Sequence, residues 1–332
     1  MQWVRNFSLH LFILAASAGL WPLMLTGQNN TKKLLFTHIS IEDGLSQGMI
    51  TDIIQDRYGF MWLGTKDGLN QYDGYRFSVY RHSPDDLSSL SDSYTTALME
   101  DSLGRIWVGT VSGRVDLFDR NSGSFKHVIR QGNFLTSGPV RNLIEAGNGN
   151  IIVLIGKTII EINGKTLEKK EIPRIQSDPD YFALGSNSQL YCMQGTTMFI
   201  RSLADGKTES VLFGEQYLKK LRPGSSKQVT HVIESPSTKQ YIAFFHGGII
   251  SINTASKNVE DVFPYDLGFT NQACFDSIGD LWISADTRMV KFNLKERSFT
   301  EIRLKNNEAN SPLIVSRFYR DRGGIYWFGT TG

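Results

Sequence analysis

Asp56-Arg57-Tyr58-Gly59-Phe60-Met61-Trp62-Leu63-Gly64-Thr65 returns as Asp101-Ser102-Leu103-Gly104-Arg105-Ile106-Trp107-Val108-Gly109-Thr110. Further copies stand at Asp276–Ala285 and Asp321–Thr330. Trp62 to Trp107 is 45 residues and Trp282 to Trp327 is 45 again. The 175 residues between Trp107 and Trp282 are close to four such periods. A period of about 40–50 residues with strand chemistry in each unit predicts the blades of a β-propeller.

Degenerate copies fill the gap. Gly149-Asn150-Ile151-Ile152-Val153 matches Gly104–Val108, with Ile152 in the Trp place. Gln189–Cys192 and Lys239–Ile242 supply the next two, with Tyr191 and Tyr241 as the large residue. Anchors near 62, 107, 152, 191, 241, 282 and 327 describe seven blades begun. Before most anchors runs an alternation of apolar and polar residues, such as Ile50 to Gln55 or Val140 to Glu145, which is the period of a half-buried strand. Asp-x-x-Gly reads as a tight turn, because Asp bonds its own backbone two residues on and Gly accepts positive φ. Third strands end in a large apolar residue followed by Asp or Asn, as in Tyr72-Asp73, Phe118-Asp119 and Phe292-Asn293. Fourth pieces follow, such as Tyr75 to Tyr80 and Phe299 to Ile302. The fold class is therefore all-β, a propeller of four-stranded antiparallel blades. Trp62, Trp107, Trp282 and Trp327 are expected at equivalent buried places between blades. Asp56, Asp101, Asp276 and Asp321 are expected as structural caps, not catalytic carboxylates.

The seventh blade has two strands before Gly332, so it is expected to be incomplete. Leu34 to Ile41 is strand-like and is expected to pair with it as outer material, in a ring unable to close without help.

The Asp-x-x-Gly-x-Ile/Leu-Trp-x-Gly-Thr element followed by Asp67-Gly68-Leu69-Asn70-Gln71-Tyr72-Asp73 resembles the two-component regulator propeller repeat. The opening Phe36-Thr37-His38-Ile39-Ser40-Ile41-Glu42-Asp43-Gly44-Leu45-Ser46-Gln47 resembles the start of the sensor region of Bacteroidetes hybrid two-component systems. The resemblance covers about Leu35 to Gly332. It implies a periplasmic sensor that reports oligosaccharides to a histidine kinase and a transcriptional output. The kinase, receiver and DNA-binding modules of that family have no counterpart in these residues. The resemblance therefore implies no enzyme activity for this chain. Its partners would be an oligosaccharide and the remaining sensor and kinase domains, or a second sensor chain.

A formal net charge of +2 is too small to favour a polyanion such as nucleic acid. The six His residues are scattered without metal-ligand spacing, and no phosphate-cradling loop appears, so neither a metal nor a cofactor is expected. Arg5 precedes an uncharged, mostly apolar stretch from Phe7 to Leu25, followed by small and polar residues. Residues 1–27 read as a secretory signal peptide or an uncleaved membrane anchor, and 28–332 as the propeller. Cys192 and Cys274 fall in blades that are not neighbours, so two free thiols are expected.

Propeller ligands sit over one face of the ring. Turns between second and third strands place Lys66, Asp67, Ser112, His246, Asp286 and Arg288 on one face, with connectors such as Ser83 to Tyr94. Such groups around a pore suit sugar hydroxyls. They also suit plain solvated loop tips. A ligand-binding sensor module is the leading expectation. A periplasmic lyase or hydrolase would need a pore cluster for which only His246, Arg288 and Lys66 are candidates. A stand-alone interaction scaffold would need a closed ring.

Overall fold

The computed structural model describes residues 37–130, 138–173, 181–184, 189–235, 240–276, 278–285, 288–302 and 314–331. Of the unit Met1–His38 only the last two residues are described; the propeller unit is Ile39–Gly332. The signal-peptide reading lies outside the described residues.

Among the described residues, 26 strands form six four-stranded antiparallel sheets and one two-stranded sheet. Each four-stranded sheet follows chain order from inside to outside. The inner strands are Ile50–Gln55, Thr95–Glu100, Val140–Glu145, Tyr181–Leu184, Val229–Glu234, Thr270–Phe275 and Val315–Arg320. The second strands are Met61–Thr65, Ile106–Thr110, Ile151–Ile155, Gln189–Gln194, Gln240–Phe245, Leu281–Ala285 and Tyr326–Thr330. In the first three blades the second strands are buried on both faces because they lie mid-sheet between two neighbouring blades: Met61–Thr65, Ile106–Thr110 and Ile151–Ile155 are buried throughout.

The Asp and Trp of each full repeat form one lock. Asp56 accepts the backbone N–H groups of Tyr58 and Phe60 on one oxygen (2.9 and 3.0 Å) and the Trp62 Nε1–H on the other (2.7 Å). Asp101 does the same for Leu103, Arg105 and Trp107, and Asp276 for Ile278, Asp280 and Trp282. Asp321 accepts Ile325 N–H and Trp327 Nε1–H. A buried indole N–H needs an acceptor, and a buried carboxylate needs donors; each supplies the other. Where the Asp is replaced, the Trp is too: Ala146 stands with Ile152, and Ser235 stands in the turn before Tyr241-Ile242.

The strand register corrects one anchor. Ile54 pairs with Trp62, Met99 with Trp107 and Cys274 with Trp282; in blade 5 the corresponding residue Ile233 pairs with Ile242, not Tyr241. Tyr241 faces the other way, edge-on to Tyr191 of blade 4 at 5.8 Å. The cause is a turn one residue longer. Asp56 N–H reaches Phe60 carbonyl, whereas Ser235 N–H reaches Gln240 carbonyl, so counting from the turn lands one residue early.

Expected burial of the four Trp rings holds for two. Trp62 and Trp107 are 0% exposed, while Trp282 and Trp327 are half-buried. Trp62 and Trp107 are each covered by the third strand of the following blade: Phe118 lies edge-on to Trp62 at 5.1 Å, and Ile162 packs in the cluster of Trp107. Blade 7 shows two strands, so Trp282 meets Tyr326 of its second strand instead.

The ring closes, against expectation, and residues 37–40 form no strand. Closure repeats the contacts that join consecutive blades. Thr51 Oγ donates to Thr95 carbonyl (2.8 Å) and Thr96 Oγ to Val140 carbonyl (2.7 Å); Ser316 Oγ donates to Ile50 carbonyl (2.6 Å). Arg57 N–H and Ser102 N–H reach Glu100 and Glu145 of the next inner strand; Arg322 N–H reaches Gln55 (2.9 Å). The Gly of Trp-x-Gly-Thr also recurs for a reason. A Cβ on Gly64 would meet Thr95 Oγ at 2.7 Å, one on Gly109 would strike Val140, and one on Gly329 would meet Ile50 at 2.7 Å. Each next inner strand starts against that glycine.

Candidate functional site

The connectors into the inner strands are fastened by buried polar groups. Ser46 N–H donates to Asn70 Oδ1 (2.9 Å), and Ser91 N–H donates to Asp116 Oδ2 (2.8 Å). Leu45 and Leu90, one residue earlier, are buried at 5% and 0%. Asp116 also accepts His127 Nδ1–H at 2.7 Å, and Arg114 donates to Ser91 carbonyl at 2.6 Å. These links hold the loop face in place over blades 1 and 2.

On that face Lys66 is exposed, with its ammonium 5.7 Å from the Tyr94 ring. Asp67 is held by Arg81 through Nε and Nη2 (3.1 and 3.0 Å). Ser112 is exposed and shares a hydrogen bond with Thr110 Oγ1 at 3.2 Å. His246 and Arg288, from neighbouring blades, meet on the connector between blades 5 and 6. His246 carbonyl accepts the N–H groups of Leu267 and Gly268, and its ring stands edge-on to Phe269. Arg288 donates to Asp266 carbonyl and pairs with Glu301 at 3.5 Å. Asp286 lies outside the described residues. The expected residues therefore form two groups, Lys66, Asp67 and Ser112 over blades 1 and 2, and His246 with Arg288 over blades 5 and 6.

A further polar set has no counterpart in the expected site. Asp52, Asn142, His231, Gln272 and Arg317 occupy one register position of five inner strands, just past a bulge. Two of them cap the next blade: Asp52 accepts Leu98 N–H, and Gln272 accepts Phe318 N–H, both at 2.7 Å. Arg317 lies 3.9 Å from Asp52. Burial, together with the nearby Arg317 charge, lowers the His231 imidazole to about 4, so the ring is neutral at pH 7. Burial pushes the Asp52 carboxyl up from its ordinary value, and Arg317 opposes that rise. The only sequence signal was a polar residue two places after the first residue of these five inner strands; Ala97 and Ala183 stand there in the other two.

Neither Cys192 nor Cys274 forms a disulfide, and burial pushes the Cys274 thiol up to about 12, which makes it a poor nucleophile. Among the described residues no group of His, Cys, Asp and Glu could hold a metal, and no helix is long and apolar enough to cross a membrane.

Two clefts open at the other end of the blades. One, of about 410 Å³, lies between blades 5 and 6 at Ser251, Asp261, Phe263, Asp280 and Arg297. Another, of about 500 Å³, lies in blade 3 at Asn150, Glu161 and Lys170.

Residues 44–67 and 89–112 match the family model for the two component regulator propeller. A stretch of 91 residues is 40% identical to Histidine kinase P4 of Formosa agariphila; it makes up 27% of this chain and 6% of that relative. Among solved structures, the chain is similar to the extracellular domain assigned to a hybrid two component system of B. thetaiotaomicron. The TM-score is 0.69 at 18% identity, over 89% of this chain and 40% of that one. A second B. thetaiotaomicron extracellular domain, assigned to a one component system, gives 0.66 at 14% identity, over 86% and 37%. Streptogramin B lyase gives 0.61 at 17% identity, over 86% and 92%. At these identities the solved structures establish the fold alone.

Proposed function

We propose that this chain, whose first two blades are two-component regulator propeller repeats, is the exported ligand-sensing propeller of a hybrid two-component regulator. The carrying observation is the repeat match at 44–67 and 89–112, supported by 40% identity to a histidine kinase over 91 residues. The ligand in this reading is an oligosaccharide held over the loop face by Lys66, Asp67, Ser112, His246 and Arg288. Binding there is transmitted to further sensor and kinase domains, or to a second sensor chain, in the periplasm. The phosphorelay and the control of glycan-use genes belong to those domains.

A glycan array with the purified chain, followed by product analysis, tests this. Binding of an oligosaccharide that is recovered intact is the expected outcome, weakened by Lys66→Ala. Cleaved or eliminated product would move the chain to the enzymes.

A further inference from the structure

The inner strands of a propeller turn their free edges toward the central channel, and a free edge carries N–H and carbonyl groups that the ladder leaves unpaired. The polar set of the inner strands meets these edges. Asp52 accepts Ile53 N–H at 3.0 Å on one oxygen and Leu98 N–H of blade 2 at 2.7 Å on the other. Asn142 Oδ1 accepts Leu143 N–H at 2.8 Å, and Gln272 Oε1 accepts Phe318 N–H of blade 7 at 2.7 Å. Each acceptor serves the amide one residue past this register position, in its own blade or the next.

Blades 5 to 7 break this arrangement. His231 stands where Asp52 and Gln272 supply an oxygen, and Ala273 N–H stands in the place of Leu98 N–H and Phe318 N–H without their cap. The His231 ring makes no hydrogen bond among the described residues and lies edge-on to Phe244 at 5.7 Å. Burial and the Arg317 charge keep that ring neutral at pH 7, so it offers one N–H. Gln272 spends its oxygen on Phe318 and keeps its amide NH2 without a partner among the described residues. Arg317 has one hydrogen bond among them, from Nη1 to the Ser316 carbonyl at 2.9 Å. Its Nε is 3.9 Å from Asp52 Oδ1, beyond hydrogen-bond reach, and both Asp52 oxygens already hold amides. The Arg317 side chain is 34% exposed, so its fork is open to a ligand.

One side of the channel therefore gathers donors with nothing to receive them, whereas Asp52 and Asn142, across it, have theirs in use. Unmatched donors beside a guanidinium suit an anion. The planar fork fits the two oxygens of a carboxylate, and hydrogen bonds to a charged acceptor are the strong ones. A cation finds no such place, because Asp52 is the one carboxylate of the set and is occupied.

We propose that the blade 5–7 side of the central channel is a binding site for a small carboxylate, held by the Arg317 fork and by the N–H donors of His231, Gln272 and Ala273. The site lies on the inner strands, apart from Lys66 and Arg288, and does not depend on a signalling role.

The test is titration of the isotope-labelled full chain with sodium acetate, and in parallel with sodium chloride and with acetamide, followed by amide and His231 ring resonances. Acetate is expected to shift Ala273, Arg317 and the His231 ring, with about millimolar affinity for so small a ligand. Acetamide has the shape without the charge, and chloride has the charge without the second oxygen. Each is expected to bind about tenfold more weakly than acetate. Arg317→Lys keeps a charge beside Asp52 and loses the fork. It is expected to weaken acetate about tenfold and to leave chloride within about twofold. If that variant does not fold, the ranking of the three probes on the parent chain decides alone. The proposal is overturned if acetate shifts none of these resonances, if acetamide or chloride binds as tightly as acetate, or if Arg317→Lys binds acetate as the parent does. A loop-face failure on the glycan array would leave these outcomes unchanged, so the two readings fail separately.

Discussion

The seam between blades 1 and 2 and the seam between blades 6 and 7 use the same lock and differ in its cover. Trp62 and Trp282 both donate to an Asp six residues earlier, at 2.7 and 3.0 Å. Over Trp62 lie Phe118, Tyr80 and Arg120, and the ring is fully buried. Over Trp282 lie Tyr326 and the Lys291 ammonium, and the ring is half-buried. The hydrogen bond belongs to the blade's own turn, whereas the burial belongs to the next blade's third strand. A repeat residue therefore keeps its local geometry where its neighbour changes, but not its energetic weight.

The largest effect should come from removing the covered ring. Trp62→Ala is expected to cost about 3–5 kcal/mol, through a cavity and through loss of the Asp56 donor. Trp282→Ala should cost about half as much, since less area is removed from water there. Urea denaturation of both variants measures the difference. Equal losses would mean that the local lock, not the neighbour's cover, sets the stability of a blade.

A second contrast lies in the inner strands, where one register position holds Asp52 in blade 1 and His231 in blade 5. The His231 value of about 4 is below the unfolded value of about 6.5, so the unfolded chain takes up a proton in that window and the folded chain does not. This contribution is fully present above pH 6.5 and is lost as the pH falls to 4. Asp52 acts with the opposite sign: its raised folded value stabilises the fold on the acid side of its titration and withdraws that stability as pH rises. The His231 ring retains some solvent contact, which reduces the expected loss to about 2 kcal/mol between pH 7 and pH 4.5. His231→Gln should flatten the profile of urea midpoints in that window by this amount. An unchanged slope would assign the acid sensitivity to other groups.

Most of the ring was legible in the sequence because the repeat chemistry is local. Asp-x-x-Gly marks the turn, and the Trp lies a fixed distance along the same hairpin, so four blades could be placed from spacing alone. Blade 5 misled because its turn is one residue longer, which moves Tyr241 to the face toward blade 4 and puts Ile242 at the anchor. The candidate site was less legible. Lys66, Ser112 and His246 could be placed on one face from topology, but which of them meet depends on connectors with no repeat pattern. Arg288 and His246 share the blade 5–6 connector through contacts to Asp266, Leu267 and Gly268. The polar set of Asp52, Asn142, His231, Gln272 and Arg317 is assembled from five blades and so shows no motif in any one of them.

The smallest effect bears on closure. An exposed, unfinished blade 7 was expected to leave the ring open, yet Ser316 makes to Ile50 the bond that Thr51 makes to Thr95. If blade 7 joins blade 1 as any blade joins the next, Ser316→Ala and Thr51→Ala should be equally costly, each about 0.5–1.5 kcal/mol for one lost hydrogen bond. The two seams differ in one respect that matters. Blade 2 is anchored by four strands, while among the described residues Val315–Arg320 and Tyr326–Thr330 form a two-stranded sheet, and strands at a sheet edge open more readily. Native-state hydrogen exchange separates these views. Equal global losses, with faster exchange confined to the Tyr326–Thr330 amides, would fit a closed ring with a soft last blade. A Ser316→Ala loss near zero would mean that the closing seam contributes nothing in solution and that the ring is open.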